Sequence, residues 1–381
     1  MNKNELNNKI FIVILLILSC SILFKLTRNS NDYNYIDNRM SYKFSFPTIK
    51  SLLSNEYQSH IEDVIADQLP KYNYFKLIYL KITNYINFGT IYLFKLDKMG
   101  KYINLGNINL YEGYLLYDAT TQESFEKASN HDIDEINNII ASTNANVYLY
   151  FVETDSNYNF ETNYKLEATN YLEKNLNIDK KNISAYQLSS YSDYEKNFYK
   201  TDHHWNYKGS YEGYRQIASL MNFNYILEPL DEICFENAIF NGSKSKNIAG
   251  INPLNDKMCM YDYNFPEYEI YASGNKIPEY GKSIEELKKS TEVSYGSIYG
   301  GDYDELIFIN KETNNNKKLL IYANSYSNAI NKLLAANYKE TYVIDGRYYK
   351  EKNMIDYIND KKIDDFLILG NCMLFSDNIN W

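Results

Sequence analysis

Acid–base chemistry is concentrated in one short stretch of the chain, residues 200–209 (KTDHHWNYKG). The stretch holds two of the four histidines, and Asp202 lies two positions before His204. A carboxylate beside an imidazole can hold one ring nitrogen as N–H and stabilise the imidazolium, while the other nitrogen takes a proton from a nucleophile. An apolar pattern at helical spacing follows Gly209, which predicts a loop that enters a helix N-terminus. Such loops commonly present catalytic groups.

Two other interpretations of this stretch stay open on the residues alone. Asp202, His203 and His204 could bind a metal ion, although these three closely spaced ligands come without an obvious fourth. The stretch could also be a surface loop without chemistry, because short motifs match by chance. We expect neither a metal ion nor a cofactor.

A candidate nucleophile lies at a second junction, where a strand gives way to a helix. Residues 318–323 (KLLIYA) predict a buried strand, and a helical pattern follows Asn324 and Ser325 as far as about residue 337. A serine here lies beside free backbone N–H groups and the positive end of the helix dipole. That position suits a nucleophile whose attack generates an oxyanion, although a serine that merely caps the helix also occurs there. Ser327 is the fallback candidate.

The motif TDHHW at 201–205, followed by a glycine and a tyrosine-rich helix, resembles the signature of the bacterial DHHW protein family. That family is similar to the alginate O-acetylation proteins AlgX and AlgJ, which carry a Thr-Asp-x-His-Trp motif in an SGNH-hydrolase-like domain. The resemblance covers residues 50–381 and implies that Asp202 and His204 are the catalytic acid and base. It also implies that Ser325 is the nucleophile, with Asn324 in place of the usual aspartate, which mainly shapes the turn.

The resemblance suggests roles for four further residues. Asn371, after a glycine at the end of the last strand, matches an asparagine that joins the oxyanion hole; by itself this pair is an ordinary turn. Arg347 could neutralise developing charge, brace Asp345 or form a structural ion pair. Tyr326 and Trp205 are candidate contacts with the substrate.

The implied fold is α/β: a three-layer α/β/α SGNH-hydrolase-like domain over residues 96–381, with a mainly parallel sheet. Acid and base precede the nucleophile, which is the circularly permuted order of AlgX and AlgJ. The apolar patterns themselves predict strands at 146–152, 318–323, 341–345 and 365–369, and helices at 132–141, 163–176 and from 209 to about 221. The last strand, DFLIL, has the continuous apolar run of a strand buried on both faces. Residues 222–300 show too little periodicity to place strands.

An apolar run at 10–24 (IFIVILLILSCSILF) predicts an uncleaved signal-anchor within residues 1–29. Residues 30–95 are expected to form a juxtamembrane linker and helices. The expected location is therefore the cell membrane, with a single pass and an extracytoplasmic catalytic domain. A Cys234–Cys259 disulfide would fit that location, but the spacing of the cysteines does not establish it.

The composition narrows the partners. The chain has a formal net charge of −10 and no basic stripe, so we expect no nucleic-acid partner. Tyrosine is abundant, with 41 residues, and some of these rings can line a glycan site because amphipathic rings stack on sugars.

Together with these features, the resemblance implies a membrane-anchored O-acyltransferase, with acetyl as the expected group, that modifies a cell-surface or exported polysaccharide. The resemblance implies a membrane-bound O-acyltransferase as the acyl donor, because a cytoplasmic donor would not reach the domain unaided. Two alternatives stay open. One is an O-acetyl esterase with the same three residues, and the other is a non-catalytic glycan-binding or assembly protein.

Overall fold

The computed structural model describes residues 3–28, 33–34, 39–53, 56–68, 72–250, 254, 256–375 and 381. The chain forms two compact units, one of residues 1–94 with 246–251, and one of residues 95–245 with 252–381. All the candidate site residues belong to the second unit, which also contains the large sheet.

The first unit is mainly helical. Its elements are α1 (Lys3–Thr27), β1 (Tyr33–Asn34), β2 (Arg39–Met40), α2 (Ile49–Leu53), α3 (Glu56–Gln68) and α4 (Tyr72–Leu93). Strands β1 and β2 pair antiparallel. Parts of the predicted linker, residues 30–32 and 35–38, lie outside the described residues.

Within the described residues, none of the helices combines the length and the apolar character that crossing a membrane requires. The anchor over residues 1–29 stays a prediction.

The second unit alternates short helices with strands. Its helices are α5 (Gln122–Ser142), α6 (Ala168–Asn175), α7 (Tyr191–Asn197), α8 (Tyr207–Leu220), α9 (Ile284–Lys289), α10 (Tyr295–Tyr299), α11 (Asn331–Ala335) and α12 (Met354–Lys361). Its strands are β3 (Ile103–Asn104), β4 (Asn109–Tyr111), β5 (Tyr114–Leu116), β6 (Asn146–Val152), β7 (Tyr158–Asn159), β8 (Tyr164–Lys165), β9 (Ile183–Tyr186), β10 (Asp231–Cys234), β11 (Ile239–Phe240), β12 (Cys259–Asp262), β13 (Tyr268–Ala272), β14 (Asn275–Ile277), β15 (Glu292–Val293), β16 (Glu305–Asn310), β17 (Lys318–Ala323), β18 (Glu340–Ile344) and β19 (Asp365–Gly370).

The central sheet has eight strands in the order β14-β13-β16-β18-β17-β19-β6-β9. Five neighbouring strands run parallel: β18, β17, β19, β6 and β9. The sheet continues beyond β18 with β16, β13 and β14, each of which pairs antiparallel with its neighbour. The fold is thus α/β with a mostly parallel sheet.

Both faces of the sheet are covered. Along β17, Leu319 and Ile321 pack on one face with residues of α8 and α11. Leu320 and Tyr322 pack on the other face with residues of α5, α6 and α12. Every residue of β19 is buried, as its continuous apolar run predicts for a strand between two helical layers.

Helices and strands without an apolar run were harder to predict. The predicted helix over 163–176 is wrong in its first part, because Tyr164 and Lys165 pair with β7 as a short hairpin and α6 begins only at Ala168. The poorly periodic stretch 222–300 contains strands β10 to β15. In β13 only alternate residues are buried, so its apolar signal is weak.

The direction of the parallel strands determines where the candidate residues lie. Ala323 of β17 pairs with Leu369 of β19, and each is followed two positions later by a polar residue, Ser325 and Asn371. Because neighbouring parallel strands end at the same edge of a sheet, these two residues lie at one edge, here called the carboxyl edge. The opposite edge, where β17 and β19 begin, is the amino edge.

Candidate active site

The Asp202–His204 stretch is a tight loop closed at its base. Phe198 and Trp205 form an isolated antiparallel bridge, so the residues between them fold into a loop before α8. Asn206 then caps α8, where its side chain accepts hydrogen bonds from the N–H groups of Lys208 and Gly209. The predicted entry into a helix is therefore confirmed, and the cap fixes the direction of the loop.

Trp205 is fully buried and anchors this loop to α8. Its ring lies where a side chain at Gly213 would be, since a Cβ there would come within 2.6 Å of the indole. The ring also packs edge-on against Tyr326, with 5.7 Å between the ring centroids. Trp205 and Tyr326 are 0% and 1% exposed, so both are packing residues, and the expectation that they contact substrate needs correction.

Gly213→Ala is expected to lower the free energy of unfolding by about 1–3 kcal/mol, because the added methyl group overlaps a fully buried indole. Thermal or urea unfolding of the purified protein measures this. The matched control is Gly296→Ala in α10, where a Cβ would meet nothing within 4 Å. Equal destabilisation by both substitutions would contradict this packing role of Gly213.

Asp202 is buried and holds His204 in one orientation. Its Oδ1 lies 2.5 Å from His204 Nδ1 and accepts the His204 backbone N–H at 3.0 Å. Its Oδ2 accepts the backbone N–H of Ser243 at 2.7 Å. An ionised carboxylate only accepts hydrogen bonds, so His204 carries its proton on Nδ1 and leaves Nε2 as an acceptor.

The charge of Asp202 is stabilised where it lies. Burial acts to raise its pKa, but the electrostatic interaction with His204 and the hydrogen bonds from that residue outweigh burial and hold the pKa well below its usual range. His203 shows the opposite situation, because burial, reinforced by the neighbouring His204, lowers its pKa to about 3. At neutral pH, Asp202 is therefore ionised and His203 is neutral.

A second loop, residues 240–245, packs against Thr201 and Asp202. Gly242 approaches so closely that a Cβ there would lie 2.4 Å from the Thr201 carbonyl oxygen and 2.5 Å from Asp202 Cβ. Asp256 holds the other side of Thr201, since its Oδ2 accepts the Thr201 N–H at 2.8 Å and the Thr201 hydroxyl at 2.9 Å. Residues 240–243 of this loop resemble DHHW proteins in sequence, but the sequence did not indicate that they pack against Thr201 and Asp202.

A buried ion pair lies next to this support. Lys244 and Asp155 have side-chain exposures of 0% and 1%, and Lys244 Nζ lies 2.6 Å from Asp155 Oδ2. The same ammonium donates to the Tyr194 hydroxyl at 2.8 Å. Because Lys244 directly follows Ser243, the ion pair fixes the position of the N–H that donates to Asp202.

Ser325 completes the chain of hydrogen bonds. It begins a 3-10 helix, Ser325–Ser327, directly after β17, and its Oγ lies 2.8 Å from His204 Nε2. Since Nε2 is an acceptor, the serine hydroxyl donates. Ser325 is half-buried, whereas Ser327 is 1% exposed and is not the serine that bonds to the imidazole. Two segments 121 positions apart are thus brought within hydrogen-bond distance.

Asn324 shapes the turn that follows β17. Its Oδ1 accepts the Tyr326 backbone N–H at 3.3 Å and thereby caps the 3-10 helix. Its Nδ2 donates to Asn371 Oδ1 at 3.0 Å, and the same Oδ1 accepts the Met373 N–H at 3.2 Å. Because two donors hold its Oδ1, the Asn371 side chain is fixed in orientation and its amide NH₂ is left as a donor.

Arg347 is engaged in ion pairs. Its guanidinium reaches Asp345 Oδ2 at 2.5 Å and Asp302 Oδ2 at 3.1 Å. Asp302 in turn accepts from the Asn328 side chain at 2.8 Å, one turn after Ser325. Of the roles considered for Arg347, the structure favours the brace: the residue ties the loop before β16 to the loop after β18, and its charge is already neutralised.

Two rings lie against the His204 imidazole. Tyr295 of α10 is parallel to it, with 3.8 Å between ring centroids and 3° between planes. His203 lies at the same centroid distance, and its Nδ1 is 2.5 Å from Ser243 Oγ. Tyr295 was missed by sequence reasoning, because one tyrosine among 41 in an irregular region carries no signal.

The side chains of Asp202, His203 and His204 lie close enough together to be considered as metal ligands. However, tetrahedral bonds of about 2.0–2.2 Å would hold two ligand atoms more than about 3 Å apart. Asp202 Oδ1 and His204 Nδ1 are 2.5 Å apart, which is the distance of a strong hydrogen bond. The geometry therefore favours a hydrogen-bonded acid–base pair over a pair of ligands.

Cys234 and Cys259 form a disulfide that joins β10 and β12, two antiparallel strands in which these residues are directly opposite. The pairing that spacing alone did not establish is thus present.

No protein-family model matches the chain, and no curated protein matches its sequence. Solved structures do match. Bacillus cereus PatB1, solved with a sulfonyl adduct, aligns with a TM-score of 0.57 at 22% identity, over 72% of this chain and 97% of that protein. A DHHW family protein from Eubacterium siraeum aligns with a TM-score of 0.55 at 16% identity, over 72% and 94%. The O-acetyltransferase domain of Pseudomonas putida AlgJ aligns with a TM-score of 0.39 at 11% identity, over 69% and 90%. The chain therefore shares its fold with PatB1 and with a DHHW family protein, the group that its TDHHW motif resembles.

Proposed function

We propose that this chain is an O-acyltransferase that uses Ser325, His204 and Asp202 to move an acyl group, acetyl in the first instance, onto a polysaccharide. The supporting observation is the unbroken series of hydrogen bonds, with Ser325 Oγ 2.8 Å from His204 Nε2 and His204 Nδ1 2.5 Å from Asp202 Oδ1. An alcohol held by an imidazole whose other nitrogen is held by a carboxylate is the arrangement that activates a serine.

In the first half-reaction, Ser325 Oγ attacks the carbonyl carbon of the acyl donor, and its proton passes to His204 Nε2. As the bond to the donor's oxygen breaks, His204 returns that proton to the leaving oxygen, and the acyl group stays on Ser325 as an ester. Asp202 remains ionised and stabilises the imidazolium that forms in between, which its lowered pKa permits.

In the second half-reaction, a sugar hydroxyl takes the place of the leaving group. His204 Nε2 removes its proton, the sugar oxygen attacks the acyl carbon, and the proton returns to Ser325 as the ester bond to the enzyme breaks. The products are an O-acylated sugar and the free enzyme.

Each tetrahedral intermediate carries a negative oxygen that needs donors. The backbone N–H of Ser325 is at the start of a 3-10 helix, where N–H groups have no partner within the helix. The Asn371 amide NH₂ is the second donor, oriented by Asn324. Preorganised donors of this kind each contribute roughly 10²–10³ in rate.

We also propose that the domain is SGNH-hydrolase-like with a circularly permuted order, since acid and base precede the nucleophile along the chain. We further propose an extracytoplasmic location behind an N-terminal anchor, with a membrane-bound O-acyltransferase as the donor. The Cys234–Cys259 disulfide supports the location, because disulfides persist in oxidising compartments.

The full-length protein, given a chromogenic acetyl ester and a neutral tetrasaccharide, is expected to form acetylated sugar faster than free acetate. Mass spectrometry of the sugar and an acetate assay measure the two products. Acetate alone would replace the proposal with an O-acetyl esterase. If neither product forms although the protein still binds the sugar, the non-catalytic glycan-binding alternative is favoured.

A further inference from the structure

A large cavity lies on the far side of the second unit from Ser325. It is open to solvent and has a volume of about 640 Å³, which is the size of many small-ligand sites. Lys317 and Asp365, which line it, lie at the beginnings of β17 and β19, so the cavity opens at the amino edge. Ser325 lies beyond the other end of β17, and the six residues of that strand span about 20 Å. The cavity is therefore separate from the candidate active site.

The lining of this cavity is unusually polar for a small-molecule site. Six of its seventeen residues are asparagines. Asn310 and Asn315 use their amides to hold loops, as with the Asn315 Nδ2 bond of 2.6 Å to the Asn337 carbonyl. Three other asparagines of the lining are exposed, and their amides bond to no residue that the structure describes: Asn222, Asn224 and Asn264. An amide offers both donor and acceptor, which is what a sugar hydroxyl requires.

Four aromatic rings form another part of the wall. Phe223 packs edge-on against Tyr338, whose hydroxyl donates to Asp365 Oδ2 at 2.9 Å, so the floor of the cavity is fixed. Phe265 is half-buried, and Tyr225 is 54% exposed. An exposed ring beside unpaired amides presents a flat apolar surface with hydrogen-bonding groups around it, which suits a sugar ring.

The charges of the lining indicate which sugars fit. Its residues that carry charge at neutral pH are Glu312, Lys317 and Asp365, so carboxylates outnumber cations. Lys317 Nζ already lies 3.3 Å from Asp365 Oδ2. Recognition of a polyanion usually relies on unpaired cations, and this lining offers none.

From this combination we infer that the amino-edge cavity is a second binding site, for a neutral oligosaccharide segment. The role of this second site would be to hold the acceptor polymer near the protein, and the assignment of that role rests on the proposed function. A polymer bound there keeps its other units at a high effective concentration at the carboxyl edge.

The test uses the full-length Ser325→Ala variant, so that no turnover disturbs binding, and isothermal titration with three probes. These are chitotetraose and cellotetraose, which are neutral, and a tetra-uronic acid. At least one neutral probe is expected to bind, and the acidic probe more weakly. Tyr225→Ala is expected to weaken the neutral probe about tenfold through loss of the stacking surface, whereas Tyr225→Phe keeps the ring and the affinity.

The matched control is Tyr348→Ala, which removes a ring of nearly equal exposure, 53% against 54%, from the loop after β18 at the carboxyl edge. Unchanged affinity in this variant is expected. Loss of affinity here but not in Tyr225→Ala would place the sugar at the carboxyl edge and overturn the inference, as would the absence of binding by both neutral probes or preferred binding of the acidic one.

The outcome is separable from that of the proposed function. A Tyr225→Ala variant that retains Ser325 should hydrolyse a small chromogenic ester as fast as the unmodified protein, because that ester needs no polymer site. If the unmodified protein lacks turnover, the proposed function falls while the binding result stands. If turnover is present and Tyr225→Ala binds sugar normally, only the second site falls.

Discussion

Replacing Ser325 with alanine is expected to lower turnover of a chromogenic acetyl ester by at least about 10⁴-fold, because the substitution removes the hydroxyl that carries the acyl intermediate in the proposed mechanism. Ser325 Oγ is the hydroxyl that lies 2.8 Å from His204 Nε2. The donor N–H groups and the packing around the site remain, so folding should be unaffected. Initial rates by absorbance, with thermal unfolding measured in parallel, give the result.

Ser327→Ala is the matched control for this substitution, as it removes the same atom two positions later in the same 3-10 helix. It is expected to retain turnover. Incubation with excess donor and no acceptor should leave one acetyl group on the peptide that contains Ser325, as seen by mass spectrometry. Full activity in Ser325→Ala with loss in Ser327→Ala would move the nucleophile, and full activity in both would remove the serine mechanism.

Asp202→Asn is expected to lower kcat by about 10⁴-fold with little change in KM. The carboxylate accepts from the His204 ring on Oδ1 and from the Ser243 N–H on Oδ2. An asparagine has only one acceptor oxygen, so its NH₂ must face one of these donors. When it faces the imidazole, it favours the tautomer with the proton on Nε2, which cannot take the proton of Ser325.

Asp256→Asn serves as the control for loss of a buried charge near the same loop. Asp256 supports Thr201 and does not touch the imidazole, so this variant should keep activity within about tenfold of the unmodified protein. Burial raises the pKa of Asp256 from its usual value of 3.8 to about 6, so this carboxylate destabilises the folded state progressively as pH rises from about 4 to about 6. This loss of stability with rising pH should be absent in Asp256→Asn. Equal losses of kcat in both variants would show that Asp202 acts only through folding.

Sequence reasoning located the parts with a strong local signal. Strands β6, β17 and β19 were predicted within one residue, because each is an uninterrupted apolar run buried between two layers. The acid, base and serine were assigned from short motifs, and the fold brings them together. Each motif lies at the junction between regular elements, where periodicity changes and the junction is therefore visible.

The rest depends on contacts between irregular segments. Ser243 reaches Asp202 across 41 positions, and Tyr295 lies parallel to His204 from a five-residue helix. Neither has a periodic pattern that a sequence could reveal. The roles predicted for Trp205 and Tyr326 were wrong for a different reason. A ring buried in the core and a ring that contacts sugar look alike in sequence. Only the exposure of each ring separates the two roles.

The Lys244–Asp155 ion pair limits how this protein can be engineered. An ammonium without its partner at that depth would cost roughly 3–5 kcal/mol, a large share of the stability of an ordinary domain. A segment grafted from a relative into the region after strand β11 would therefore have to keep a lysine at position 244. Otherwise Asp155, in the turn after β6, would have to be replaced at the same time. Recombination that separates these two positions should yield insoluble chains rather than soluble, inactive ones.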